Sequence, residues 1–84
     1  MTAGFACPCC GYLTRSRHEF GTFEICPVCM WEDDWIQSQT PHLEGGANTV
    51  SLNKAKMNFQ KFGSSKEQFK SQCRAPYPDE KPDL

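Results

Sequence analysis

Long apolar segments are missing from this chain of 84 residues. None approaches the roughly 20 apolar residues that a membrane-spanning helix needs, and no apolar run of signal-peptide type follows a basic start. The sequence Gly45-Gly46-Ala47-Asn48 lacks the Gly-Lys-Ser/Thr that would complete a phosphate-binding loop. We therefore expect a cytoplasmic protein with no membrane partner, whose cysteines stay reduced.

A marked excess of charge of either sign is also missing, since the formal net charge is −1. The charge is instead divided along the chain. Residues 1–45 carry two basic and six acidic side chains, a balance of −4, and residues 46–84 carry seven basic and four acidic ones, a balance of +3. A bipolar chain favours neither nucleic acid nor a membrane surface as the partner on composition alone.

The chain contains six cysteines, an unusually large number for its size. A domain this small buries too little surface to be stable without disulfides, a metal or a partner. In a reducing compartment, clustered cysteines indicate metal ligands rather than disulfides. The chain is thus expected to form one metal-stabilised domain over residues 1–84.

Four of the cysteines form two Cys-Pro-x-Cys pairs, which predict one structural zinc ion. Cys7 and Cys10 make the first pair, Cys26 and Cys29 the second, and 15 residues separate the pairs. Two such turns complete a closed tetrahedral shell of four thiolates. Iron is the less favoured metal, because rubredoxin-like sites use the same turns but usually place a glycine after each pair, and Met30 follows the second.

The other two cysteines are not needed as ligands. Cys9 lies inside the first turn and is expected to point away from the metal as a spectator, the alternative being a redox or metal-exchange role. Cys73 is expected to be a small buried apolar group.

The pattern of the remaining residues predicts a small α+β fold, a zinc-ribbon β-hairpin with one or two C-terminal helices. Residues 12–14 and 20–25 are β-prone and would pair across a turn at residues 15–18, making residues 5–31 the ribbon. Residues 32–50 are an acidic, then Gly-rich connection. Residues 51–73 are expected to be helical, and the Pro-rich tail 74–84 extended or disordered.

Helix signals are clearest between Ser51, a good N-cap, and Gly63, a left-handed stop. An apolar stripe recurs between them at helical spacing, formed by Leu52, Ala55, Phe59 and Phe62. A second short helix carrying Phe69 and Cys73 is predicted from a capping box that begins at Ser65.

Three consecutive acids between two tryptophans are the least expected feature: Trp31, Glu32, Asp33, Asp34 and Trp35. One interpretation is a helix N-terminus, where acids favour the positive end of the dipole and the tryptophans cover the ribbon. The other is an exposed acidic and aromatic patch for a basic protein partner. The chain would then be a non-catalytic interaction module, for instance an immunity protein that blocks a basic toxin, and not an enzyme, because a closed four-thiolate site has no open position.

Two further functions stay open at this point. Zinc ribbons often bind nucleic acid, and the helical region is basic, although aromatic residues are poorly interleaved with its bases: Lys54, Lys56, Lys61, Lys66, Lys70 and Arg74. The other is thiol redox chemistry or metal handling through Cys9.

Several motifs, in order, resemble the cysteine-rich CPCC domain family of small, mostly bacterial proteins. The residues that carry this resemblance are Cys7 to Tyr12, Glu24 to Cys29, Trp31 to Asp34, Gly45 to Asn48, and Ser51-Leu52. The resemblance implies a recurring small domain in which the Trp-acid run and the Gly-Gly-Ala-Asn loop belong to the pattern. It implies no particular activity. Met30 departs from the aromatic residue expected at its position.

Overall fold

The computed structural model of the chain describes residues 4–82. Its elements follow the order β1 (Phe5–Ala6), β2 (Leu13–Arg15), α1 (Trp35–Gln39), α2 (Leu52–Phe62) and two 3₁₀ helices, Glu67–Gln72 and Pro78–Glu80. The strands form one two-stranded antiparallel sheet, and the helices come after it. The predicted fold class, a small α+β fold with a cysteine cluster, is therefore confirmed.

The strand pairing differs from the predicted hairpin. β1 pairs with β2 across the first cysteine turn, with Phe5 opposite Arg15 and Ala6 opposite Leu13. Across the second turn, an isolated bridge joins Ile25 to Glu32. Each cysteine turn thus closes its own small hairpin, and the prediction that residues 12–14 pair with residues 20–25 is wrong.

The buried side chain of Arg15 accounts for part of this difference. Its Nε donates to the carbonyl of Ala6 at 2.7 Å, and its Nη1 donates to the carbonyls of Arg17 and Glu19, each at 3.1 Å. The chain after β2 therefore wraps around the guanidinium instead of turning back along β2. Phe23 adopts a left-handed φ of 61°, which breaks the extended conformation that the β-prone residues predict.

Helix α2 begins and ends where its sequence indicates. The Ser51 hydroxyl accepts the Lys54 N–H at 3.1 Å, and Gly63 ends the helix in the left-handed conformation with φ 78°. Leu52 and Ala55 are buried in the core, Phe59 packs against it, and Phe62 is half-buried. The stripe is a packing face, most completely at its N-terminal end.

The segment after α2 is helical, but its predicted capping box does not form. The helix is a 3₁₀ helix, Glu67–Gln72, with Lys66 at its N-cap and no side-chain cap. Ser65 instead ties this segment to the second cysteine turn, since its N–H donates to the Cys29 carbonyl at 2.7 Å. Cys73 follows the helix as its C-cap residue.

The tail is extended through residue 82 apart from the 3₁₀ helix Pro78–Glu80, and it packs against the rest of the domain. Arg74 donates two hydrogen bonds to the Glu80 carboxylate, each 2.8 Å long, and its guanidinium lies 3.8 Å from the centre of the Tyr77 ring. The N–H of Arg74 also donates to the Pro27 carbonyl at 3.1 Å. Residues 83–84 of the predicted tail lie outside the described residues.

The core is small and is built around sulfur. The buried apolar residues are Cys7, Cys9, Cys26, Val28, Cys29, Trp31, Leu52 and Ala55. The cysteine turns therefore supply much of the interior, and the helices cover it. Within residues 4–82, no helix combines the length and the apolar character needed to cross a membrane.

Candidate metal centre

The two cysteine turns have the same backbone geometry. In the first, the Gly11 N–H donates to the Cys7 carbonyl at 2.8 Å; in the second, the Met30 N–H donates to the Cys26 carbonyl at 2.7 Å. The residue after each pair is left-handed, with φ 83° at Gly11 and 70° at Met30. Met30 thus occupies a conformation that suits glycine and costs a side-chain-bearing residue about 1–2 kcal/mol.

These turns bring the sulfurs of Cys7, Cys10, Cys26 and Cys29 together, all within 4.8 Å of one another. The Cys7–Cys29 and Cys10–Cys26 sulfur pairs are each 3.7 Å apart. An ion with tetrahedral metal–sulfur bonds of about 2.3 Å separates its sulfurs by about 3.8 Å. The four cysteines are therefore positioned to hold one metal ion, as the spacing of the pairs predicts.

The surroundings of the cluster fit a structural ion. Three of the four cysteines are buried, Cys10 is partly buried, and the Thr14 hydroxyl lies 3.0 Å from the sulfur of Cys26. Hydrogen bonding with Cys10, then with Cys26 and Cys7, raises the pKa of the Cys29 thiol above its usual range. Four thiols this close cannot all ionise without a cation, so metal binding must be coupled to the release of protons.

The two remaining cysteines lie outside this group. All six cysteines are free thiols, and neither Cys9 nor Cys73 belongs to the four-sulfur cluster. The Cys9 side chain is buried in the core, which supports the interpretation as a spectator. Cys73 is only half-buried, so it is less enclosed than predicted, and burial raises the pKa of its thiol.

The acidic run is not the exposed patch that one interpretation of the sequence predicts. Trp31 is 1%, Asp33 2% and Asp34 8% exposed, so three of the five predicted partner-binding side chains lie in the interior. Glu32 is half-buried, and Trp35 is exposed. The structure favours the other interpretation in part, since Asp34 is the N-cap of α1 and Trp31 is buried, but Trp35 does not cover the ribbon.

Each buried carboxylate is held by N–H groups. One oxygen of Asp33 accepts from the N–H groups of Gly21 and Thr22, at 3.0 and 3.1 Å, and from the Thr22 hydroxyl. Asp34 is the N-cap of α1, accepts the Gln37 N–H at 3.0 Å, and accepts the Ala47 N–H at 2.8 Å through its other oxygen. The local repulsion is therefore offset by hydrogen bonds to carboxylates, which are the stronger kind.

Gln37 organises the loop that follows α1, and sequence reasoning missed it. It is fully buried, and the two N–H groups of its Nε2 are shared among the carbonyls of Leu43, Asn48 and Val50, which lie 3.0–3.1 Å away. Its Oε1 accepts from the backbone and side-chain N–H groups of Asn48. The one local signal for Gln37 is its place three residues after Asp34, the spacing of a capping box, which the exposed Gln39 lacks.

Asn48 connects this loop to the acidic run. Its Oδ1 accepts the Glu32 N–H at 2.9 Å, and its Nδ2 donates to the Glu32 carbonyl at 2.7 Å. The side chain thus pairs with the Glu32 backbone as a neighbouring strand would. A Cβ at Gly46 would stand 2.6 Å from Asp34 Oδ2 and 2.9 Å from Gln37 Cδ, so the loop approaches too closely for a larger residue.

Asp34 should make the stability of the domain depend on pH. The Ala47 N–H, and then that of Gln37, lower the pKa of this carboxyl below its ordinary value of 3.8. Its contribution is therefore present above pH 3.8 and is lost as the pH falls through the lower folded pKa. We expect Asp34→Asn to lose less stability than the wild type on acidification.

Urea unfolding at a series of acidic pH values, with metal content measured at each, would test this expectation. Both proteins share the acid sensitivity of the thiolates, so the difference between their slopes reports Asp34. Equal slopes would show that the hydrogen bonds do not favour the charged form.

Comparison with known protein families gives a match to this chain. The family described as cysteine-rich CPCC matches residues 5–80, which include both cysteine turns, the acidic run, the loop around Asn48 and α2. No curated protein matches the sequence. Because the match covers nearly all of the chain, the chain belongs to the cysteine-rich CPCC family.

Proposed function

We propose that this chain is a zinc-stabilised, non-catalytic module that binds a protein partner. The observation that carries the metal assignment is the closed group of four sulfurs with tetrahedral spacing. Zinc suits such a site because it is redox-inert and takes four thiolates in structural sites. Met30 follows the second pair where rubredoxin-like iron sites usually have glycine, and this difference of residue type favours zinc, although the backbone of the two turns is the same.

A non-catalytic role is supported by the state of the polar side chains near the metal. A closed four-thiolate shell offers no position for water or substrate. Asp33 and Asp34, the carboxylates that could serve as acid or base, are buried and accept backbone N–H groups. Both side chains thus hold the local backbone, Asp34 through both oxygens and Asp33 through Oδ2, while the buried Oδ1 of Asp33 has no hydrogen-bond partner among residues 4–82.

Protein binding is supported by large apolar side chains that the fold leaves exposed. Phe23, Trp35 and Ile36 are 59%, 56% and 57% exposed. A Cβ at Gly21 would stand 2.8 Å from the Cβ of Trp35, so the loop that carries Phe23 lies directly against α1. We call these three side chains the apolar face; exposed aromatic residues of this kind anchor protein interfaces.

The apolar face, and not the acidic patch that the sequence predicts, is the surface that we propose for partner binding. Asp33 and Asp34 are buried and cannot contact a basic partner. The hypothesis that this chain is an immunity protein for a basic toxin therefore has no acidic surface at these residues to support it. Trp35 is the predicted partner-binding residue that stays available, now as part of an apolar face.

Metal analysis and partner capture together test the proposal. Protein purified from its native host should hold one zinc ion per chain; one iron ion in its place would contradict the metal assignment. Trp35→Ser with Ile36→Ser should lose a captured protein that the wild type retains, because the apolar anchors are removed. Tyr77→Ser is the matched control, since Tyr77 is 56% exposed but lies in the C-terminal tail. Capture that is equal for both variants would contradict a role for the apolar face.

A further inference from the structure

A basic groove runs beside α2, separate from the apolar face. Its larger part has a volume of about 390 Å³ and is lined by three lysines, one carboxylate and two large apolar side chains: Lys54, Lys61, Lys66, Glu67, Met57 and Phe62. A smaller pocket of about 140 Å³ adjoins it and shares Val50 and Lys66; its other walls include Glu32 and the apolar side chains of Ile25, Met30 and Phe69. We call the two together the α2 groove.

The lysines of the α2 groove are available to a ligand. Lys54 and Lys61 are two helical turns apart, about 10.5 Å along the axis, and Lys66 lies across the groove from them. Arg74–Glu80 is the only ion pair among residues 4–82, so Glu67 forms no ion pair with the three lysines, and the lining of the larger part keeps a balance of +2. All three belong to the half of the chain whose balance is +3.

Apolar surface lies between these charges. Met57 is 65% exposed and Ile25 52%, and each lines one part of the α2 groove. Methionine is flexible and polarisable, and it adapts to varied apolar partners. The smaller pocket is large enough for one aliphatic side chain, so the groove offers one apolar anchor site beside a row of positive charges.

We propose that the α2 groove binds an acidic segment of a polypeptide. An aliphatic side chain of the ligand enters the pocket between Met30 and Phe69, and its carboxylates meet Lys54 and Lys61. The proposal goes beyond the proposed function, because it assigns a second surface and the chemistry of what binds there. It does not depend on the apolar face.

The same observations disfavour nucleic acid as the ligand. Bases bind by stacking on free aromatic faces, but ammonium groups already lie over the rings here. Lys61 and Lys70 lie 5.4 and 5.9 Å from the centre of the Phe62 ring, and Lys66 lies 5.3 Å from that of Phe69. The groove is lined by lysines, which do not hold phosphate in the bidentate manner of arginine.

Fluorescence anisotropy with the metal-loaded full chain would test the proposal. The probes are a short labelled peptide of alternating glutamate and leucine, its glutamine–leucine analogue, and a labelled oligothymidylate. We expect the acidic peptide to bind most tightly, and its affinity to fall with added salt, because the lysines are exposed to solvent. Lys54→Gln with Lys61→Gln should raise its Kd roughly three- to tenfold.

Lys56→Gln is the matched control. Lys56 is exposed on the same helix but lines a different cleft, beside Cys9 and Cys10, so its loss should leave the Kd unchanged. Equal metal content and circular dichroism spectra would show that all variants are folded, and single Lys61→Gln serves if the double variant is not.

Three results would overturn the proposal: no binding of the acidic peptide, equal binding of its uncharged analogue, or tighter binding of oligothymidylate that the double variant loses. The last would identify a nucleic-acid groove instead. None of these results affects the capture that depends on Trp35, so failure of this inference is distinguishable from failure of the proposed function.

Discussion

Changing any one of Cys7, Cys10, Cys26 or Cys29 to serine is expected to remove the metal and unfold the domain. The buried apolar residues gather around these sulfurs, and α2 buries only Leu52 and Ala55. Binding of structural zinc contributes about 10–16 kcal/mol in small domains. Whole domains are typically stable by only about 5–15 kcal/mol, so little folded structure should survive the loss.

Metal content by mass spectrometry and circular dichroism during chelator titration would measure this effect. Cys9→Ser and Cys73→Ser are the controls, which should keep one metal ion, because neither sulfur belongs to the cluster. After chelation α2 should be at most partly formed, since a helix of 11 residues is marginal alone in water. A Cys9 variant without metal, or a cooperative native spectrum after chelation, would contradict the assignment.

The features that the sequence predicted correctly depend on residues close together in the chain. The ends of α2 follow from Ser51 and Gly63, whose hydrogen bonds and φ angles involve only neighbouring residues. The cysteine cluster follows from two short turns that must share one ion, which is a strong constraint on a single chain. Such local signals do not depend on how the rest of the domain packs.

The strand pairing could not be read in the same way. Residues 12–14 and 20–25 are β-prone, but β-propensity does not select a partner. In the structure the partners are set by the cysteine turns, since Cys7 pairs with Tyr12 and Cys26 with Trp31 through backbone hydrogen bonds. The buried guanidinium of Arg15 then holds the intervening loop.

The acidic run shows where an argument from charge alone failed. Counting adjacent carboxylates predicts repulsion, but N–H groups from distant parts of the chain offset it. Asp33 accepts from Gly21 and Thr22, and Asp34 accepts from Ala47, which is 13 residues away. Those partners appear only once the loops are placed, so the sequence left both interpretations open.

Replacing Gln37 by methionine is expected to destabilise the domain by about 3–5 kcal/mol, because several buried polar groups lose their partners at once. Gln37 is fully buried, shares the two N–H groups of its Nε2 among three carbonyls, and bonds to two N–H groups of Asn48 through Oε1. Methionine has a similar volume, so the change removes the hydrogen bonds without opening a large cavity. The Asn48 side chain would lose the Gln37 Oε1 acceptor, which orients its two hydrogen bonds to the Glu32 backbone.

Gln39→Met is the matched control, because Gln39 lies on the same short helix and is exposed, so its free energy of unfolding should change little. Urea unfolding of the metal-loaded variants measures both effects. The Gln37 variant should still bind one metal ion, since the cysteine turns make no hydrogen bond to Gln37, and its amides in the loop 42–50 should exchange hydrogen faster than those of the Gln39 variant. If the two variants are equally stable, the loop is held by Asp34 and Asn48 alone, and the amide of Gln37 is not what couples the Gly-Gly-Ala-Asn segment to the acidic run.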